Sequence, residues 1–203
     1  MFPAPEWGLC LIPHSGFYAS SLILGIAARI DRAGFAGLLC GMATVIAIDP
    51  GVSGAWCKVS NDTGTPRVLA LQDLPTYSEK TGTGKIRRYI DAAELLAALQ
   101  GEACDLIICE RMVAPPGISS NTAFSMGATM GALQTVFRLL GARHRLVVSS
   151  VWKRALDCPA DKEKARQMAG QILGFEHWPL KKDHNRAEAA LIGLYGLITF
   201  SSG

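Results

Sequence analysis

Residues 44–51 read Thr-Val-Ile-Ala-Ile-Asp-Pro-Gly, and this stretch decides the fold. Thr44–Ile48 is a β-branched, apolar run of the kind that fills a buried central strand, and Asp49-Pro50-Gly51 closes it in a turn. Working outward, Ala55–Ser60 and Val68–Leu74 read as two further strands separated by the turn-rich Asn61–Pro66, which predicts an antiparallel meander. Gly82–Lys85 reads as a loop. Ile90–Leu99 has helical apolar spacing and a stop at Gly101, and Asp105–Cys109 is a second buried strand ending at Glu110. Past the loop Val113–Ser120, a long helix is expected from Asn121 to Leu140, then a strand at Arg145–Val148. Helices at Asp161–Leu173 and Arg186–Ile198 follow. The order predicts an α/β fold: a mixed five-stranded sheet flanked by helices, with its first and fourth strands side by side at the centre. Asp49 and Glu110 would then stand at neighbouring strand ends.

Composition sets wide bounds. With 203 residues, 49% hydrophobic and 18% charged, the chain can fill one sizeable core. A net charge of +3 permits a polyanionic partner without requiring one. The six cysteines form no C-x-x-C pair and keep no zinc-finger spacing, which argues against a disulfide framework or zinc site and fits a reducing cytoplasm. Residues 1–42 differ from the rest. Their apolar stretch Gly16–Ile30 is shorter than the ~20 residues of a membrane span, and their arginines, Arg29 and Arg32, come at and after its end and not before it, which makes a poor secretory signal. They are expected to be an N-terminal extension outside a core domain of residues 43–203, and no membrane partner is expected.

Three acids could carry chemistry. Phosphodiester hydrolysis needs a nucleophilic water, an in-line geometry and a stabilised leaving oxygen, and two divalent ions ~3.5–4 Å apart meet all three needs. Magnesium takes oxygen ligands and keeps several waters, so a few acids must converge from different elements. Asp49, Glu110 and Glu188 are the candidates. Each has a plainer reading as well: Asp49 as a turn residue, Glu110 as a solvated strand end. Glu188 is followed by small and apolar residues, so its turn of helix should face the sheet, where an unpaired carboxylate is costly and a metal would relieve it. His184 lies one turn earlier on the same face, and Asp183 lies at the helix start, where a simple cap is the alternative.

Taken together, Val45–Gly51, Leu106–Glu110 and His184–Ala189 resemble the RuvC family of Holliday-junction resolvases, ribonuclease-H-like nucleases, and look closest to its phage and prophage branch. The resemblance spans about residues 43–200, including the helix with Gly127 and Gly131 and the segment Ser150–Lys153. It implies a homodimeric endonuclease, dependent on magnesium or manganese with two ions per site, that nicks opposite strands of a four-way DNA junction. Asp49, Glu110 and Glu188 would be metal ligands, and Lys153 and Lys162 would bind phosphate or stabilise charge in the transition state. In one place the chain departs from the pattern: Asn185 stands where the bacterial enzymes carry a fourth acid or a histidine. The fourth ligand would then be Asp183 or His184. Asp183 is preferred for magnesium, with His184 as a proton donor or water-orienting group.

Other readings stay open. The same acids would serve a nuclease acting on forks or flaps. An actin-like phosphotransferase shares the strand-Asp-Gly opening but needs a second domain, and a catalytically silent DNA-binding relative would explain Asn185. Trp152 and Phe124 read as core or interface residues, and Cys109 as a buried residue on the face opposite Glu110. Arg87-Arg88 and Lys181-Lys182 could line a phosphate track or be ordinary surface charge.

Overall fold

The computed structural model describes Gly25 and residues 43–200 apart from Thr83. The extension expected at residues 1–42 thus falls, Gly25 excepted, outside the described residues. Strands β1 (Thr44–Asp49), β2 (Ala55–Ser60) and β3 (Arg67–Asp73) form the expected meander, followed by β4 (Thr76–Lys80), β5 (Ile86–Ile90) and helix α1 (Ala92–Leu99). Then come β6 (Leu106–Glu110), α2 (Ser120–Leu139), β7 (His144–Val147), α3 (Ser149–Leu156) and α4 (Lys162–Leu173). A 3-10 turn, Lys181–Asp183, leads into α5 (His184–Thr199).

Five strands make one mixed sheet in the order β3-β2-β1-β6-β7. β1 runs antiparallel to β2 and parallel to β6, with Ile48 opposite Cys109. Side chains alternate between the two faces of a strand. Val45 and Ala47 therefore join Leu106 and Ile108 in the core shared with α3, α4 and α5, whereas Ile46, Ile48, Ile107 and Cys109 join α1 and α2 on the other face. The same alternation carries Asp49 and Glu110, one residue further on each strand, to the α5 face. Strand isoleucines with 0–1% exposure contribute about 1.5–3 kcal/mol each, so this register is strongly fixed.

Helix α5 is buried continuously from Ala187 to Thr199. Two of its glycines let it lie flush on the sheet: a Cβ on Gly193 would come 2.6 Å from Val59, and one on Gly196 2.8 Å from Val45. The close approach lowers Glu188, near the start of the helix, to the level of the strand ends. No helix among the described residues is long and apolar enough to cross a membrane.

Several expectations need correction. The loop expected at Gly82–Lys85 lies between two strands that the sequence did not reveal, β4 and β5, which form a separate two-stranded sheet in which Tyr77 pairs with Tyr89 and Glu79 with Arg87. Ile90 ends that hairpin, and α1 begins only after Asp91, whose carboxylate caps the amides of Ala93 and Glu94. Helix α3 follows β7 almost directly; it escapes notice because its N-cap, Val148, has no side-chain capping bond. The last helix starts at His184, two residues earlier than its apolar pattern suggests.

Candidate active site

Asp49, Glu110 and Glu188 line one cleft of about 480 Å³, together with Lys153, Lys162 and Asn185. Gly54 shapes its floor. The Gly54 amide bonds the Gly51 carbonyl at 2.9 Å, and any Cβ at position 54 would strike the Asp49 carbonyl oxygen. Only glycine lets the chain double back beneath the acid.

The three carboxylates stand in different surroundings. Burial pushes the Asp49 pKa up to about 8, and the nearby charges of Glu188 and Glu110 add to the rise. Lys162 and Lys153 oppose it only in part. Glu110 accepts a hydrogen bond from the Trp152 indole at 2.7 Å. Burial raises its pKa, with the indole bond and the charge of Lys153 acting the other way. Glu188, 8% exposed, meets the Lys153 ammonium at 2.6 Å. Burial works against the lysine's charge, but the bond to Glu188 and the charges of Glu188 and Glu110 together outweigh it and the lysine pKa is raised. Lys153 also lies 5.1 Å from the centre of the Trp152 ring. One turn of α3 thus supplies a donor to each of two acids.

Five of the seven residues singled out from the sequence meet here: Asp49, Glu110, Glu188, Lys153 and Lys162. Asp183 and His184 do not. They line a neighbouring groove, which shares Ser53, Gly54 and Asn185 with the cleft. The Asp183 carboxylate turns back to accept the Leu180 amide at 3.0 Å, and so caps the 3-10 turn. Asp183 ends the 3-10 turn, before α5 begins, and its carboxylate is committed to that turn. The His184 ring contacts the Lys181 carbonyl at 3.3 Å. Asn185 faces the cleft instead, and its side-chain amide donates to the Ser53 carbonyl.

Sequence reasoning missed the part played by Trp152. The residue is fully buried, as expected, but its indole reaches Glu110. A buried indole N–H generally seeks a partner, so the neighbouring Lys153 was a usable signal. Cys109 is buried as expected, and Phe124 is 68% exposed.

No protein-family model matches the chain, and no curated protein sequence does. Among solved structures it is similar to T. thermophilus RuvC in complex with Holliday junction substrate, with TM-score 0.54, 18% identity, and coverage of 77% of this chain and 93% of that one. It is also similar to Ydc2, the yeast mitochondrial Holliday junction resolvase, with TM-score 0.50, 16% identity, and coverage of 89% and 92%. The chain has the RuvC fold. Within that ribonuclease-H-like fold, the acids occupy the ends of the two central parallel strands and the start of the helix packed upon them.

The donor set fits a hard divalent cation. All three acids offer oxygen, and their clustered charge is what raises the Asp49 pKa beyond the effect of burial. Among the described residues no group of three or more acid, histidine or cysteine side chains is arranged as a ready-made metal site. In this arrangement the Lys153 ammonium satisfies Glu188 as a cation would.

Proposed function

We propose that the chain is a divalent-metal-dependent endonuclease that resolves Holliday junctions as a two-fold symmetric dimer. The observation that carries this reading is the convergence of Asp49, Glu110 and Glu188, with Lys153 and Lys162 beside them, in one open cleft of the RuvC fold. Asp49, Glu110 and Glu188 would hold one or two magnesium or manganese ions. When bound, such ions acidify water and neutralise charge on the leaving oxygen.

The protein's own groups do the rest. Trp152 fixes the Glu110 carboxylate in one orientation. Lys153 and Lys162 present positive charge to a phosphate entering the cleft, where a partly dry wall strengthens it. Asn185 ties the loop at Ser53 to α5 and so sets the cleft's width. It occupies the fourth ligand position of the bacterial pattern with an amide, and Asp183 is withdrawn from that role.

Symmetric nicking of two strands needs two such sites. The outer face of α2 supports a two-fold contact: Phe124 and Leu139 are exposed there, and Gly127 and Gly131 leave open space between them. The direct test offers purified protein a labelled four-way junction, a fork, a flap and a matched duplex, with and without magnesium. Paired nicks confined to the junction, and only with metal, are expected. Faster cutting of the fork or flap, or cutting in chelator, would overturn the proposal.

A further inference from the structure

The β4–β5 hairpin lies outside the main sheet yet stands against the acid cleft. Arg88 reaches the Ser53 hydroxyl at 3.3 Å, and Ser53 lines that cleft. Residues 76–90 contain Lys80, Lys85, Arg87 and Arg88 against a single acid, Glu79. The two arginines are exposed and, being consecutive in a strand, point to opposite faces.

Each arginine borders a groove. Arg88 and Lys182 flank one of about 740 Å³ that opens into the acid cleft at Ser53 and Asn185. Arg87, Tyr89 and Asn121 flank another of about 290 Å³, which Arg88 also borders. Among the described residues neither arginine has a carboxylate within ion-pair distance. Arg87 donates only to the Asn121 side chain, at 3.3 Å, and Arg88 only to Ser53. Three other described arginines are matched by acids, Arg67 with Asp62, Arg166 with Glu163 and Arg186 with Asp73, while Arg145 among others is not, so it is their place beside the two grooves that sets Arg87 and Arg88 apart. Guanidinium forks with only weak neutral partners retain the capacity for two-point contact with phosphate.

We propose that the β4–β5 hairpin is a DNA-gripping arm, whose Arg87 and Arg88 hold the phosphate backbone of a DNA segment on its way into the acid cleft. This rests on the nuclease reading of that cleft and adds a grip separate from its chemistry. Both arginines lie away from the three acids, so the arm contributes affinity and placement and leaves the hydrolytic step to the cleft. Glu79, opposite Arg87 in the hairpin register, keeps the arm from being uniformly positive.

The test is anisotropy with a labelled four-way junction in chelator, from 50 to 250 mM salt. It compares the unmodified chain, Arg87→Ala/Arg88→Ala, Arg87→Lys/Arg88→Lys, and Arg67→Ala/Arg145→Ala, which removes equal charge from the sheet's two edge strands. The alanine pair is expected to weaken binding about tenfold near 100 mM salt and to lower the slope of log affinity against log salt by about 2. The lysine pair should retain most of the affinity and the edge pair the full slope, with melting temperatures unchanged throughout. An alanine pair that binds with unaltered affinity and slope overturns the arm, as does an edge pair that loses as much. If the unmodified chain binds forks or duplex as well as junctions while the alanine pair still loses its slope, the arm stands and junction specificity falls. An unmodified chain that binds no DNA defeats both.

Discussion

The centre of the sheet and the β4–β5 hairpin are built on opposite terms. In β1 and β6 nearly every side chain is buried and the acids appear only at the last residue, whereas the hairpin is mostly exposed and rich in cations. The centre places three carboxylates with little freedom, at a cost in charge repulsion visible in Asp49. The hairpin has little core to protect and can carry charge freely. Under the proposed function the contrast separates reaction from grip, so each should be removable without the other.

The largest effect belongs to the centre. Asp49→Asn or Glu110→Gln is expected to reduce junction cleavage by at least roughly a thousandfold while leaving junction binding within a few fold. Gel assays of cleavage and anisotropy of binding measure the two sides, and strong residual cutting would remove that acid from the site. Next comes Gly193→Val, which forces side-chain bulk between α5 and β2. It should cost about 1–3 kcal/mol in denaturant unfolding and reduce cleavage as well, since Glu188 rides on the same helix. An active, equally stable variant would show that the close approach does not set the site.

A smaller effect follows from Asp49 alone. Its folded pKa of about 8 exceeds the ordinary 3.8, so the folded state holds an extra proton between those values. Stability of the ion-free protein should therefore fall as pH rises through that window. Melting curves should drop by roughly 5 °C between pH 5 and 8, Asp49→Asn should flatten the trend, and magnesium should reverse it. A flat profile in the unmodified chain would show that the carboxyl is not held protonated. The smallest effect is on the hairpin side: replacing Thr81–Lys85 by a two-residue Asn-Gly turn should alter stability by less than about 1 kcal/mol. A loss of several kcal/mol would make the hairpin part of the core and erase the contrast.

How much was legible follows the same division. β1, β2 and β6 could be read because a strand buried on both faces must be a continuous apolar run, and Asp49 and Glu110 followed as its terminations. Glu188 could be read because a carboxylate amid Ala187, Ala189 and Ala190 is conspicuous. The β4 sequence, Thr-Tyr-Ser-Glu-Lys, carries no apolar alternation because neither face of the hairpin is fully covered, so it gave no strand signal. Asp183 stands outside the cleft for a different reason: residue type suggested a ligand, but it ends a 3-10 turn and its carboxylate accepts the Leu180 amide. The 3-10 turn at Lys181–Asp183 left no clear mark in the sequence.

The Trp152 indole, bonded to Glu110, also gives the cleft an optical reporter of its own. Trp56 and Trp178 are fully buried with indole nitrogens that have no hydrogen-bond partner, so they form a steady emission background among the described tryptophans. Trp152 alone of the three touches an acid of the site. Any event that draws charge from Glu110 should alter its emission, and Trp152→Phe should silence the change. Occupancy of the cleft can thus be followed by light in real time, before any strand is cut and without attaching a dye.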